Sequence, residues 1–321
     1  MRHFLHILPV CAVLCLVSCG GGNTSAPVSS APATREFKLP QVPGMMSEEE
    51  QFDFIASRYW DSFTDTAGVW MCDSAHVCGV EKGALEQALS NYIYLLDRLP
   101  LARSRGLIAA LYDKVDLYGR VHPESNMFGM MKGIVDSYLY DPNSPMRNED
   151  YYQPYVARLA TDERVDSLER MKYSQYAANC LLNMVGTPAA DFRFSDKNGR
   201  TTALYGIKAD YTLLFFSNPG CTACKEIIET LKASMRVQYL LENGMLAVAN
   251  VYIDEELDEW FNYMSYYPAE WYNGYDHNHV IRGENLYDVR AIPSLYLLDK
   301  DKKVIFKDVP QEKLFDYLES L

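Results

Sequence analysis

No run in this sequence reaches the roughly 18 apolar residues that a helix needs to cross a bilayer. A membrane-spanning segment is therefore not expected. Positive charge is also short. Thirty Lys and Arg stand against 43 Asp and Glu, and the net charge of −13 repels phosphate backbones, which argues against a nucleic-acid partner. Histidine is scarce at six, and only His277 and His279 offer a close pair. Apolar material is plentiful. At 48% hydrophobic and with 24 tyrosines, 321 residues can build the packed cores of one or two domains.

The first residues, MRHFLHILPVCAVLCLVSC, have the layout of an export signal: Arg2 and His3, then a short apolar stretch from Phe4 to Val17. Leu16-Val17-Ser18-Cys19 resembles a bacterial lipobox, in which Cys19 is lipidated and becomes the mature N-terminus. The expected location is the cell envelope, facing the periplasm and anchored through Cys19. Residues 20–46 begin GGGNTSAPVSSAPAT, are rich in Gly, Ser, Pro and Thr, and are expected to form a flexible tether. Export changes how the remaining cysteines are read, because thiol pairs outside the cytosol engage in disulfide chemistry. Cys11 and Cys15 leave with the leader, so Cys72, Cys78, Cys180, Cys221 and Cys224 belong to the folded part.

Residues 47–185 read as an all-α domain of about six helices. Ser47 with Glu50 forms a capping-box pattern, and Leu85, Leu89, Tyr92 and Leu96 recur at helical spacing. Pro100 opens a helix holding Leu107, Leu111 and Val115. This region shows no nucleophile–base pattern, phosphate loop or metal spacing, so binding a partner or substrate is its default role. Gly186-Thr187-Pro188 ends the helical texture. From there strands and helices alternate, predicting a central mixed sheet flanked by helices over 186–321. Two short strands flank Asn198-Gly199, YTLLFFS is a strand buried on both faces, and CKEIIETLKASMRVQYLL is a helix with Ile227, Ile228, Leu231 and Met235 on one side. A hairpin crosses Asp299 to Lys302.

Between that buried strand and that helix lies SNPGCTACKE. Residues i and i+3 of a first helical turn share a face, at a separation that suits a disulfide. Cys221 would sit at the helix entrance, where unpaired N–H groups and the dipole favour a thiolate, making it the attacking sulfur. Cys224, deeper, would resolve the mixed disulfide. Two other readings stay open: a structural disulfide without turnover, and a zinc site completed by His277 and His279. The spacing of a peroxiredoxin, Pro and then Thr or Ser ahead of the reactive Cys, does not fit, since Ser217 and Leu214 stand seven residues before Cys224 and Cys221.

VGTPAADFRF, TLLFFSNPGCTACKEI and NLYDVRAIPSLYLLDKDKKVIFKD together resemble the TlpA-like branch of the thioredoxin superfamily, the membrane-tethered thiol–disulfide oxidoreductases of the bacterial envelope. The resemblance covers about Val185 to Leu321. It implies a thioredoxin-like α/β fold, protein thiols or disulfides as substrates, a membrane electron donor if the chain is a reductase, and no cofactor beyond the Cys221–Cys224 disulfide. It implies further that Pro293 is cis and faces the dithiol, with Ile292 offering its backbone to an extended substrate and Gly220, Thr222 and Ala223 lining the contact. This chain departs from thioredoxin in three places. Gly220 replaces a Trp, Thr222-Ala223 replaces Gly-Pro, and Phe215 stands where thioredoxin buries an Asp. RYWDSFTDTA resembles an uncharacterised domain that precedes thioredoxin-like domains in envelope lipoproteins.

Cys72 and Cys78 lie between two predicted helices and are the candidates for a structural disulfide, with free thiols or an accessory redox relay as alternatives. Cys180, beside Leu181 and Met184, reads as a core thiol. WFNYMSYYPAEWYNGYD reads as an aromatic-packed insertion, since AEWYNGYD recurs in the similar TlpA-like lipoproteins. The alternative is a patch for unfolded polypeptide. The competing function is a non-catalytic periplasmic binding or adaptor lipoprotein whose CxxC is only a staple.

Overall fold

The computed structural model describes residues 33–321. The leader, Cys19 and the first part of the tether lie outside the described residues.

The capping box forms as its spacing predicts. The Glu50 backbone N–H donates to the Ser47 hydroxyl and the Ser47 N–H donates to the Glu50 carboxylate, starting α1 (Glu48–Arg58). A small hairpin follows, β1 (His76–Val77) with β2 (Val80–Glu81), where a plain loop was expected. Next come α2 (Lys82–Leu96) and α3 (Leu101–Val121), separated at Pro100. Leu85, Leu89, Leu107, Leu111 and Val115 are buried as their spacing predicts. α4 (Met127–Val135) runs into a π turn at Asp136–Tyr140. α5 (Glu149–Leu159) is capped by Asn148 and α6 (Ser167–Cys180) by Asp166, each through its side chain. These helices share one core in which Trp60, Tyr92, Tyr118, Tyr152, Tyr155 and Tyr173 are all fully buried, and Cys180 lies in it as expected.

The second half is built from β3 (Arg193–Ser195), β4 (Thr201–Ala203), β5 (Tyr211–Phe216), α7 (Thr222–Ala233), α8 (Met235–Glu242), β6 (Leu246–Tyr252), α9 (Leu257–Tyr263), β7 (Tyr272–Tyr275), α10 (Val280–Gly283), β8 (Ser294–Asp299), β9 (Val304–Phe306) and α11 (Gln311–Ser320). The seven strands form one mixed sheet in the order β4-β3-β7-β6-β5-β8-β9, with β6 parallel and β8 antiparallel to central β5. Alternation along β5 sends Leu213 and Phe215 into a core with Ile227, Ile228 and Leu314. Leu214 and Phe216 enter a second core with Phe192, Tyr287 and Tyr296. A strand buried on both faces reads as a continuous apolar run for this reason.

Three expectations fail locally. The helix after the cysteines is not continuous: Ser234 is extended (φ −72°, ψ 116°) and its hydroxyl accepts from Val237 N–H, restarting the chain as α8. Met235 is thereby carried out of the apolar face and is 88% exposed. AEWYNGYD hides strand β7, where Gly274 passes so close beneath Phe194 that a Cβ would overlap the ring. The tether is also bound from Ala33 on. Arg35 donates to the carbonyls of Phe63 (2.6 Å) and Cys78 (2.9 Å) and stacks on Trp70, while Phe37 packs on Trp60. A composition reading misses these two anchors because they are single residues in a polar, small-residue segment.

The two halves form one compact unit within residues 33–321. The segment after the last long helix runs along β9, with Gly186 N–H donating to Val304 O and Val304 N–H to Thr187 O. A buried charge cluster completes the join. Glu149 in the first turn of α5 pairs with Lys307 (2.7 Å) and Arg290 (2.8 Å), and Arg290 and Arg147 both reach Asp308. Lys307 also donates to the carbonyls of Cys180 and Leu182, capping the end of α6. Ser294 donates to Asp308 at 2.7 Å.

Burial pushes the Asp308 carboxyl up to about 6, against the pull of Arg147 and Arg290. A carboxyl raised on folding favours the native state at low pH, and this contribution is lost as pH rises from about 4 through about 6. Urea-unfolding midpoints followed across that window should therefore fall more steeply in the wild type than in Asp308→Asn. The slope is the readout, because the substitution also shifts the baseline.

Candidate active site

β5 ends at Phe216 in the middle of the sheet, and the chain turns through Ser217-Asn218-Pro219-Gly220 into α7. Gly220 has φ +72°, a conformation that other residues adopt at a cost. Asn218 holds the turn in two ways. Its carbonyl accepts the Cys221 N–H at 3.4 Å, and its side-chain amide donates to Asp254, just past β6. Asp254 is in turn paired with Arg282 of α10 at 2.6 Å.

Cys221 is the N-cap of α7. Its sulfur accepts the Cys224 backbone N–H at 3.1 Å, the place a Ser or Asp side chain takes in an ordinary cap. The two cysteines form a disulfide, with α-carbons 5.2 Å apart. Cys221 is half-buried, Thr222, Ala223 and Gly220 are exposed, and Cys224 is 2% exposed within the core of Ile227, Ile228 and Phe215. The pair thus has one sulfur open to a partner and one shielded from water.

The antiparallel ladder pairs Phe216 with Ser294, the first residue of β8. Pro293 precedes that pair, so it lies at the sheet end from which the cysteine loop departs. The Ile292–Pro293 peptide is cis, and Ile292 packs against the same core as Cys221. Geometry therefore brings together Cys221, Cys224, Ile292 and Pro293, with Gly220, Thr222 and Ala223 at the exposed rim.

Other residues are not brought in. His277 bonds Ser195 Oγ of β3 at 3.1 Å, and His279 is exposed with φ 55°. Cys72 and Cys78 belong to the helical half and are free thiols with sulfurs 3.7 Å apart, so the expected structural disulfide is not formed. The physical reason is local: the hairpin turn that holds Cys78 leaves its sulfur 3.7 Å from that of Cys72, short of bonding distance. The aromatic insertion is mainly packing, with Trp260, Tyr267 and Trp271 buried. Tyr266, however, reaches α7, where its hydroxyl donates to Glu229 and its ring lies under Lys225.

The pattern missed a polar ladder behind the disulfide. Phe215 is paired across the sheet with Asn250, and Asn250 is buried on the α7 face. It accepts from Ser217 and donates to Asn273 Oδ1 at 3.0 Å, and Asn273 donates to the Pro268 carbonyl. The sheet beneath α7 carries a neutral amide rather than a carboxylate. The signal was present in MLAVANVYID, a lone Asn inside a buried strand.

Residues 18–183 match the family model described as Domain of unknown function (DUF5106). A thioredoxin-like protein from Bacteroides caccae is 35% identical over 88% of this chain and 98% of its own, with a TM-score of 0.76. The chain belongs to the DUF5106 family. Its second half is thioredoxin-like, a mixed sheet flanked by helices, and the DUF5106 segment is the helical half. The C-terminal domain of an uncharacterized protein from Bacteroides fragilis is 48% identical over 43% of this chain and 98% of its own (TM-score 0.41). The thioredoxin domain of a thiol-disulfide oxidoreductase from Bacteroides vulgatus is 19% identical over 43% and 96% (TM-score 0.38). No curated protein matches the chain.

In this DUF5106 protein Gly220 has nothing within 4 Å of the position a Cβ would take, so only backbone strain opposes a side chain there. Gly220→Ala should lower stability by about 1 kcal/mol, read from urea unfolding of the oxidised protein. A much larger loss would mean that the turn is also packed by its neighbours.

Proposed function

We propose that the protein is a lipid-anchored thiol–disulfide oxidoreductase acting on protein thiols and disulfides at the periplasmic face of the envelope. The observation that carries this reading is the Cys221–Cys224 disulfide at the first turn of α7, with Cys221 accessible and Cys224 buried. In the reduced state Cys221 sits where the Cys224 N–H and the helix dipole stabilise a thiolate. The thiolate attacks a substrate disulfide, forming a mixed disulfide and releasing one substrate thiolate. Cys224 loses its proton, attacks Cys221, and releases the second. One substrate disulfide becomes two thiols as the enzyme dithiol becomes a disulfide, and the reverse sequence oxidises a client. Direction follows the relative potentials.

Ile292 and Pro293 hold the substrate strand beside Cys221, and Gly220, Thr222 and Ala223 form the rim it meets. As a reductase the protein takes its electrons from a membrane dithiol partner, and no cofactor enters beyond the two sulfurs. Lipidation of Cys19 supplies the anchor.

Two measurements test this. In a turbidity assay with insulin and dithiothreitol, the wild type should accelerate precipitation while Cys221→Ser stays at the uncatalysed rate. Equal rates would favour the binding-module reading. Cys19→Ala should move the protein from the membrane to the soluble fraction of its host cell, and unchanged fractionation would remove the lipid anchor.

A further inference from the structure

A second pair of sulfurs lies in the helical half. Cys72 is exposed, Cys78 is fully buried, and their Sγ atoms stand 3.7 Å apart without a bond. Cys78 and Gly79 form the two-residue loop between Val77 and Val80, both at positive φ (47° and 82°). Asn-Gly is the usual occupant of such a loop, because Asn tolerates this conformation better than most side chains. A cysteine here is held against its own preference.

The loop between the thiols does not need a staple. The Asp73 carboxylate accepts from the N–H groups of Ala75 and His76, and the Asn126 amide donates to the carbonyls of Asp73 and His76. The reduced pair is thus preorganised, and closing it requires only that the two sulfurs approach.

We propose that Cys72 and Cys78 are a second redox-active dithiol, oxidised reversibly by exchange with a low-molecular-weight or protein disulfide. Cys72, as thiolate, attacks the incoming disulfide and forms a mixed disulfide, releasing one thiolate. Cys78 then gives up its proton and attacks the Cys72 sulfur, releasing the second. Two protein thiols become one disulfide as one external disulfide becomes two thiols. The order is fixed by access: burial pushes the Cys78 thiol up to about 12, so it cannot begin the exchange, but it needs to act only on a sulfur already beside it. Arg35, which holds the Cys78 carbonyl, ties this hairpin to the segment that leads in from the N-terminus.

The test uses the full-length chain in detergent, carrying Cys221→Ser and Cys224→Ser so that the first dithiol cannot contribute. The protein is equilibrated in glutathione buffers of increasing oxidised fraction, acid-quenched, alkylated and digested with trypsin. Both cysteines then lie on the single peptide 59–82. The expected result is complete loss of both alkyl tags and of two hydrogens over a reversible transition. Cys78→Ser should instead hold glutathione on Cys72, and Cys72→Ser should leave Cys78 unmodified. The proposal is overturned if both thiols stay alkylatable throughout, if Cys72 ends as the glutathione adduct with Cys78 present, or if the bond resists glutathione altogether. These outcomes are independent of the insulin assay.

Discussion

The junction between helices and sheet rests on a buried group of charges. Arg147, Arg290 and Lys307 meet Glu149, Asp288 and Asp308, three cations against three carboxylates. Removing these groups from water is costly, and their mutual attraction offsets that cost only while every partner is present. Losing one partner from such a group typically costs about 3–5 kcal/mol, because an uncompensated charge stays behind. The cluster therefore constrains geometry more than it adds stability. It fixes the first turn of α5, the end of α6, the bend after β9 and the segment before β8 relative to one another. The cis-proline segment belongs to that set: Arg290 stands three residues before Pro293, and Ser294 follows it.

The helical half is thus part of how the candidate site is held. Arg290 stacks on Tyr140 and donates to its carbonyl, while Ser294 is bound to Asp308. A free thioredoxin-like domain would lack Tyr140, Arg147 and Glu149, and would have to satisfy Arg290, Lys307 and Asp308 with water. On the other side of the sheet end, the cysteine loop is held by Asn218, Asp254 and Arg282, all from the thioredoxin-like half. The proline side of the candidate site is braced across the junction, and the sulfur side is braced locally.

The readable parts of the sequence were those governed by neighbours along the chain. Ser47 and Glu50 satisfy each other within one turn. The apolar run of β5 followed by two cysteines three apart gives strand, turn and helix entrance. Chain order then places Ile292-Pro293 before another buried strand. The illegible parts depend on partners far away in sequence. Lys307 and Asp308 read as surface charges in a turn, yet their partners lie about 160 residues upstream at Arg147 and Glu149. β7 escaped because its aromatic residues fit an insertion as well as a strand. The break at Ser234 escaped because Met235 continues the helical period, and only the cap bond to Val237 ends it. Arg35 and Phe37 escaped because the segment around them is otherwise tether-like.

The two thiol pairs have the same order, an accessible sulfur before a shielded one, but different electrostatic settings. Cys221 caps a twelve-residue helix, so its sulfur faces a backbone N–H and the positive end of a dipole. Cys72 precedes a two-residue strand, and its sulfur lies against the Trp70 carbonyl rather than at a helix entrance. The buried partners differ less. Cys224 lies among aliphatic side chains over a neutral amide ladder, and Cys78 lies in a tyrosine-rich core. The two pairs thus differ in what faces the outer sulfur, a helix entrance at α7 and a backbone carbonyl at the hairpin.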